Sequence, residues 1–457
     1  MVGALRSVLT LAVLLLASCA TPARESGVTA FTHVAVITEY GGARLQDQTV
    51  LVRDDRIIAI GPAAAVSVPR GATVLGRRGQ ILAPGLTDMH VHIFNPDDGV
   101  LFLANGVTTV RNMSGRRDTE ELAARIARGE APGPTIYSST PILDGPQTEY
   151  ENPRAIRTPA EMRTRIDELA ARGYVGVKLY ENLSPATFRA GVEAARAHGL
   201  QVYAHVPSSM SLDDVLALHV NSVEHLIGFD RLLGSHSGWE EQRLADADLA
   251  GLPALAARVA RSGVWNTATL VTSADPARAF ADMDAAEAAP EYRFATRRLR
   301  AHWRQLYEAQ RAERDPVAAW PVIERANGTR LEILRALRDA HAPLLIGTDA
   351  PQPFLYPGFS LHREFELHGE AGFTPAEILR IDTVESARFL NRDGEFGVIA
   401  IGARADLLLL DADPERDLAV LRAPAGVMAA GRWYDAATLQ RKLDEIAGRV
   451  AEEVAAR

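Results

Sequence analysis

The 457-residue sequence is short of several things, and each shortage excludes a class of protein. It holds one cysteine, Cys19, so a disulfide within the chain and a site built from thiolate ligands are both ruled out. No block of Lys and Arg stands out, and the net charge of −9 leaves nothing set to neutralise nucleic-acid phosphates. Low-complexity tracts are absent, and 47% hydrophobic with 23% charged residues is the composition of an ordinary folded chain. Nor is there an apolar run of the roughly 20 residues a membrane-spanning helix needs.

What the N-terminus does have is shorter. Arg6 is the only charge before Arg24, and between them Val8 to Leu16 forms an apolar core that reads as a secretory signal. Leu16-Ala17-Ser18-Cys19 resembles a bacterial lipobox, and that gives the lone cysteine a purpose. The resemblance implies a lipidated Cys19 as the first residue of the mature chain, held to a membrane by its acyl chains. Ala20 follows rather than Asp, which by likeness to Gram-negative lipoproteins implies the outer membrane, facing the periplasm. Without lipidation, the expectation is a secreted or periplasmic protein.

The remaining length suits a barrel of roughly 250–350 residues with an appendage. Residues 1–18 read as signal peptide and 19–28 as tether. Over 29–80, short β-branched runs (Phe31 to Ile37, Thr49 to Arg53, Arg56 to Ile60, Ala72 to Leu75) alternate with polar turns and predict part of a β-sandwich. From 81 to 395 apolar strand-like segments alternate with helical stretches, the pattern of a (β/α)8 TIM barrel in the α/β class. The predicted barrel strands are Leu86–His92, Thr108–Asn112, Thr135–Ser138, Gly176–Tyr180, Gln201–His205, Ser222–His225, Val264–Thr269 and Leu344–Asp349. Residues 270–343 carry extra helix, notably Pro290–Arg314, either a lid or a hairpin packed outside; contact with the substrate mouth is the favoured expectation. Residues 396–435, with strands at Gly397–Gly402, Ala405–Leu410 and Gly426–Tyr434, complete the sandwich from the other end of the chain. Residues 436–457 read as an amphipathic surface helix.

The chemistry gathers at strand ends. His90 and His92 stand at positions i and i+2 of the first barrel strand, so both imidazoles share a face. Alone, this His-x-His is weak, and two loop histidines explain it as well. His205, His225 and Asp349 each end a further apolar strand, where barrel enzymes place catalytic groups, and imidazole with carboxylate suits Zn2+ and similar cations. Lys178 lies among apolar neighbours in Gly176-Val177-Lys178-Leu179-Tyr180. Buried without a partner it would be costly and its pKa depressed; a neutral amine there can add CO2 and become an anionic oxygen ligand. A surface lysine, or one paired with Glu149 or Glu151, accounts for the position equally well. His198 and His219 read as surface or capping residues, while His236 and His362 are weaker candidates for substrate contact.

His90-x-His92, Lys178, His205, His225 and Asp349, in that order, resemble the metal set of the amidohydrolase superfamily in its binuclear, carboxylated-lysine form. The likeness extends over about residues 30–435, through Ala83-Pro84-Gly85-Leu86-Thr87-Asp88-Met89-His90, Gly347-Thr348-Asp349-Ala350 and Gly397-Val398-Ile399-Ala400-Ile401-Gly402. Leu361-His362-Arg363-Glu364 and Thr374-Pro375-Ala376-Glu377 point to the imidazolonepropionase-related and Xaa-Pro dipeptidase-like branch. The resemblance implies two divalent cations, expected to be Zn2+. His90, His92 and Asp349 hold the more buried one, His205 and His225 the more exposed one, and carboxylated Lys178 bridges them. It further implies a metal-bound hydroxide as nucleophile, Asp349 as proton acceptor and donor, and Tyr180 as a donor to the developing oxyanion.

The expected activity is hydrolysis of a carbon–nitrogen bond in a small or dipeptide-like substrate, by a chain that touches no nucleic acid and meets a membrane through its lipid. Self-association is left open. Two other readings compete. One is a mononuclear deaminase or a lactonase or esterase on the same scaffold, with Lys178 structural. The other is a binding lipoprotein without catalysis, against which the complete ligand set weighs.

Overall fold

The computed structural model describes residues 27–147, 155–234 and 238–456. Cys19 and the signal segment, Glu149, Glu151 and His236 lie outside the described residues. Among those described, no helix is long and apolar enough to cross a membrane.

Five strands open the chain: β1 (Val28–Ile37), β2 (Arg44–Arg53), β3 (Arg56–Pro62), β4 (Thr73–Leu75) and β5 (Ile81–Pro84). Then come β6 (Leu86–Val91), β7 (Val107–Asn112), β8 (Thr135–Ser138), β9 (Gly176–Leu179), β10 (Gln201–Ala204), β11 (Ser222–Glu224), β12 (Trp265–Thr267) and β13 (Leu344–Leu345). Three more, β14 (Leu407–Leu410), β15 (Gly426–Ala429) and β16 (Arg432–Asp435), precede the final helix Ala436–Ala455.

The two ends of the chain meet, as their patterning predicts. They differ from the expected sandwich in forming one hydrogen-bonded sheet of eight strands, in the order β16-β15-β14-β5-β1-β2-β3 with β4 on β1. Strand β5 is the joint: it pairs with β1 on one side and β14 on the other, so no second sheet separates. Alternation buries Phe31, Val36, Val50, Leu82, Leu407 and Met428 in one apolar cluster. The predicted strand at Gly397–Gly402 is a run of turns instead, with Gly397 and Gly402 in the left-handed region at φ 76° and 89°.

Between the ends, β6, β7 and β8 form a three-stranded parallel sheet, and β9 to β13 a five-stranded parallel sheet in chain order. Isolated bridges join Ser139 to Gly176 and Leu143 to Leu179, and Val91 to Ala350. The connections are helical, and Thr158 and Ser184 cap the helices Pro159–Ala170 and Pro185–Ala197 through their side chains. Six of the eight strands are shorter than predicted, β8 matches and β7 begins one residue earlier. His92, Tyr180, His205 and His225 each fall just past a strand end, and β13 stops four residues before Asp349.

The extra helical segment consists of Val271–Ala281, Met283–Ala288, Arg297–Glu313 and Pro316–Asp339. Its Phe280, Phe294 and Trp303 share an apolar cluster with Phe354 and Tyr356, which follow Asp349, and with Leu443, Ile446 and Val450 of the final helix. Trp303 lies 4.9 Å from Phe354, ring to ring. The segment therefore braces the stretch that leaves Asp349. The final helix has the one-sided burial its pattern predicts.

Candidate metal centre

The locations of the predicted site residues follow from the strand ends. Asp88, inside β6, accepts from His90 N at 3.2 Å, Thr348 N at 3.0 Å and the Thr348 hydroxyl at 2.7 Å, stapling the His90 strand to the Asp349 segment. Burial pushes the Asp88 carboxyl up to about 7 despite those bonds. Gly347 permits the close approach: a Cβ there would stand 2.6 Å from His90 N. Past the staple, His225, Thr269 and Asp349 adopt left-handed φ values of 62°, 44° and 59°. Non-glycine residues take such values where the surroundings over-determine them, commonly at functional sites.

The six predicted ligands sit in one buried neighbourhood. Ligand atoms of His90, His92 and Asp349 all lie within 4.8 Å of one another. Asp349 Oδ1 is 3.2 Å from His90 Nε2 and 2.8 Å from His92 Nε2. These distances suit hydrogen bonds, yet His90 Nε2 and Asp349 Oδ1 make none of acceptable geometry. The atoms converge on a common point rather than on each other. The His225 ring lies 4.5 Å from that of His90 and 4.8 Å from that of His205. Ligand atoms of His205 and His225 stand outside the tight group.

Each of three imidazoles has its Nδ1 engaged. His90 Nδ1 meets Glu224 Oε2 at 2.7 Å, His205 Nδ1 meets Glu181 Oε1 at 2.9 Å, and His225 Nδ1 meets the Thr269 hydroxyl at 2.6 Å. Such partners fix ring orientation and leave Nε2 for a cation. Burial lowers His92, takes His205 well below the usual range and brings His225 to about 3, so these rings are neutral donors. Burial works against the charge on Asp349, but His90 and His92 outweigh it and hold the carboxyl well below its usual range.

Lys178 is fully buried, and its Nζ has no hydrogen-bond partner. Burial brings its amine down to about 8. Tyr180 is buried with its ring stacked on His205 at 3.9 Å, and Lys178 Nζ lies 5.4 Å from the Tyr180 ring centre. Phe94 is 51% exposed, its ring parallel to His92 at 5.9 Å.

Unbonded buried atoms (His90 Nε2, His205 Nε2, Lys178 Nζ and Asp349 Oδ1) each cost roughly 1–3 kcal/mol if left unsatisfied. Neutral imidazoles and an ionised carboxylate are the donor set that a divalent cation satisfies, so the residues fit a metal.

Other histidines separate from this cluster. His198 and His219 are exposed, His198 bonding Asp167 at 2.7 Å. His362 is buried against Phe365 rather than open to a substrate, and burial brings it to about 3. Sequence reasoning missed Asp88, Glu224, Arg111, Glu181 and Thr269. Glu224 and Arg111 were visible as charges inside apolar strands, the same signal that singles out Lys178.

The fold is shared with known proteins. The chain is similar to a bottromycin amidohydrolase of known structure, at 25% identity and a TM-score of 0.76, covering 93% of this chain and 90% of that one. A Xaa-Pro dipeptidase with methionine in its active site shares the fold at 18% identity and a TM-score of 0.65, covering 89% of this chain and 100% of that one. A prolidase complexed with N-methylphosphonate-L-proline does so at 21% and 0.66, covering 89% and 99%. The sequence model described as "Amidohydrolase family" matches residues 81–434, and the chain belongs to the amidohydrolase family.

Proposed function

We propose that this chain hydrolyses a carbon–nitrogen bond, in an amide, a dipeptide or a cyclic amide, with divalent cations held by His90, His92, Lys178, His205, His225 and Asp349. The observation that carries the reading is the convergence of His90, His92 and Asp349, the histidines buried and the aspartate part-buried, with His90 Nε2 and Asp349 Oδ1 unspent on hydrogen bonds. The names of the similar proteins, an amidohydrolase and two dipeptidases, support an amide or Xaa-Pro-like substrate and the branch that the sequence phrases resemble.

Strands β6 to β13 are read as the eight strands of a (β/α)8 barrel over 81–395, with the bridges at Ser139–Gly176 and Val91–Ala350 joining the two parallel sheets. Residues 29–80 and 396–435 form the separate β unit. Cations bound at the strand ends supply activation of water at neutral pH and polarisation of the scissile carbonyl. Asp349, ionised, takes the proton of the attacking water and returns it to the leaving nitrogen. Tyr180, beside His205, donates to the oxygen of the scissile carbonyl. Addition of CO2 to the Lys178 amine forms an N–C bond and releases a proton to solvent, leaving an oxygen ligand where Nζ stands unpartnered. With that oxygen in place, His205 and His225 would hold a second cation, which like the first would be Zn2+. The proposal keeps the lipid anchor at Cys19 and the envelope location, on the strength of residues 1–19 alone.

The test is metal-depleted chain against chain reloaded with Zn2+, assayed on Xaa-Pro dipeptides, N-acyl amino acids, cyclic amides and lactones. Turnover of a C–N substrate with about two equivalents bound is the expected result; equal activity without metal would sink the reading. One observation favours a second reading, a single cation with Lys178 structural: among the described histidines and carboxylates the tight group holds His90, His92 and Asp349, and neither His205 nor His225 joins it. One equivalent, unchanged in Lys178→Ala, decides for it. Loss of palmitate labelling in Cys19→Ala checks the anchor.

A further inference from the structure

Each charge buried in an apolar strand calls for an explanation, and Arg111 is the largest fully buried side chain. It lies 4.5 Å from the ring centre of Tyr203 and 4.9 Å from that of Phe389. All three of its nitrogens donate: Nε to Met89 O at 2.5 Å, Nη1 to the Ser222 hydroxyl at 3.1 Å, and Nη2 to Thr267 Oγ1 at 3.2 Å and to both oxygens of Glu224 at 3.2 and 3.0 Å. Glu224, also fully buried, receives the Ser222 hydroxyl as well. Its Oε2 ends the chain at His90 Nδ1, 2.7 Å away.

Stability is a poor reason for such a pair. Two desolvated charges generally hold a fold no better than apolar side chains of similar volume. The partners of the neighbouring ligands differ: Glu181, which meets His205, is 41% exposed along its side chain, and Thr269, which meets His225, is neutral. Only His90, among the described ligands, has a fully buried ion pair behind it.

We infer that Glu224, aimed by Arg111, is a positioning residue for His90: it holds the proton on Nδ1 and fixes the ring so that Nε2 faces the cation. An ionised carboxylate bonded to arginine can only accept, so Nδ1 carries the hydrogen and the lone pair is left on Nε2. That nitrogen is the one 3.2 Å from Asp349 Oδ1 without a hydrogen bond. Arg111 keeps the carboxylate from rotating, since Nη2 spans both of its oxygens. The inference rests on the proposed metal site but concerns the ring itself, so it has a readout without metal.

The test compares wild type, Glu224→Gln and the double variant Arg111→Met/Glu224→Leu, which replaces the ion pair by apolar side chains and removes the acceptor. Three measurements are made: the melting temperature of the metal-free chain, the ring nitrogen chemical shifts of His90, and Zn2+ affinity by competition with a chromophoric chelator. The double variant is expected to melt at or above the wild-type temperature. Its His90 ring should populate both tautomers, and its affinity for the tighter Zn2+ should fall about 10–100-fold. Glu224→Gln, which keeps an acceptor without the charge, should keep the Nδ1–H tautomer and lose less affinity; it also carries the test if the double variant does not fold. Wild-type affinity with a single Nδ1–H tautomer in the double variant overturns the inference and leaves the metal site standing. If the wild-type chain takes no Zn2+ yet shows the Nδ1–H tautomer lost in the double variant, the orienting role holds and the proposed function falls.

Discussion

The two sides of the candidate centre are built differently. On the β6 side, His90, His92 and Asp349 are gathered, and Asp88 and Glu224 tie them down from fully buried positions. On the β9–β11 side, His205 leans on a part-exposed Glu181, His225 on a hydroxyl, and Lys178 Nζ on nothing that bonds to it. The first side is complete as the chain folds; the second lacks an anionic ligand of its own. On the proposed reading, a cation at the first would need only folding, whereas one at the second would depend on a further reaction at Lys178.

Breaking the complete side should cost most. Asp349→Asn removes the proposed proton carrier and one candidate ligand while keeping size and shape, and turnover should fall by about 10²–10⁴-fold with the melting temperature little changed. Steady-state kinetics beside thermal denaturation checks this, and near-normal turnover removes Asp349 from the role. Breaking the dependent side should cost less and show differently. Lys178→Ala should drop bound Zn2+ from about two equivalents to about one and lose most turnover, with part of it restored by added short carboxylic acids. Metal analysis and kinetics with and without propionate decide it; full activity and unchanged metal content would contradict a bridging Lys178. A smaller effect belongs to Phe94, exposed at the mouth and parallel to His92. Phe94→Ala should raise KM about 3–10-fold for substrates with an apolar group while leaving kcat near wild type, as loss of uniform binding does. A fall in kcat with KM unchanged would instead place the ring in the chemistry.

The same contrast shows what the sequence could reveal. The candidate ligand positions were legible because polar residues close apolar runs, as in Val202-Tyr203-Ala204-His205 and Leu345-Ile346-Gly347-Thr348-Asp349. The short strands at both ends likewise foretold that the two ends of the chain meet, though as a sandwich rather than the single sheet they form. What holds the ligands was not legible. Glu224 lies 134 residues from His90 and Thr348 lies 260 from Asp88, and no local period encodes such pairs. Arg111, next to last in β7 (Val107–Asn112) as Lys178 is in β9, met the same test, but it is not among the residues by which the sequence resembles a known metal set. The strand at Gly397–Gly402 was misread because Val398 and Ile399 alternate plausibly, whereas left-handed glycines break the run on both sides.

The smallest effect tests how the complete side is fastened to the loop beyond His92. Asp98, fully buried at the start of the helix Asp98–Ala104, accepts from Phe94 N at 3.2 Å and Asn95 N at 3.1 Å and so sets the path of the chain that carries Phe94. Burial pushes its carboxyl from 3.8 up to about 7. A group whose folded value is raised binds its proton more tightly when folded, so its contribution is fully present below about pH 4 and is lost as the pH rises through about 7. Asp98→Asn keeps an oxygen for the two backbone donors and removes the titration. Relative to wild type, the variant should gain stability between pH 5 and pH 8, by an amount on the order of 2–4 kcal/mol at most. The backbone donors, which favour the ionised form, pull the gain toward the low end. Denaturant midpoints of both proteins at the two pH values give the difference directly, and other buried carboxyls such as Asp88 and Glu364 cancel in it. A difference that stays constant from pH 5 to pH 8 would show that Asp98 is ionised throughout, and that its two backbone donors, not its burial, govern the loop.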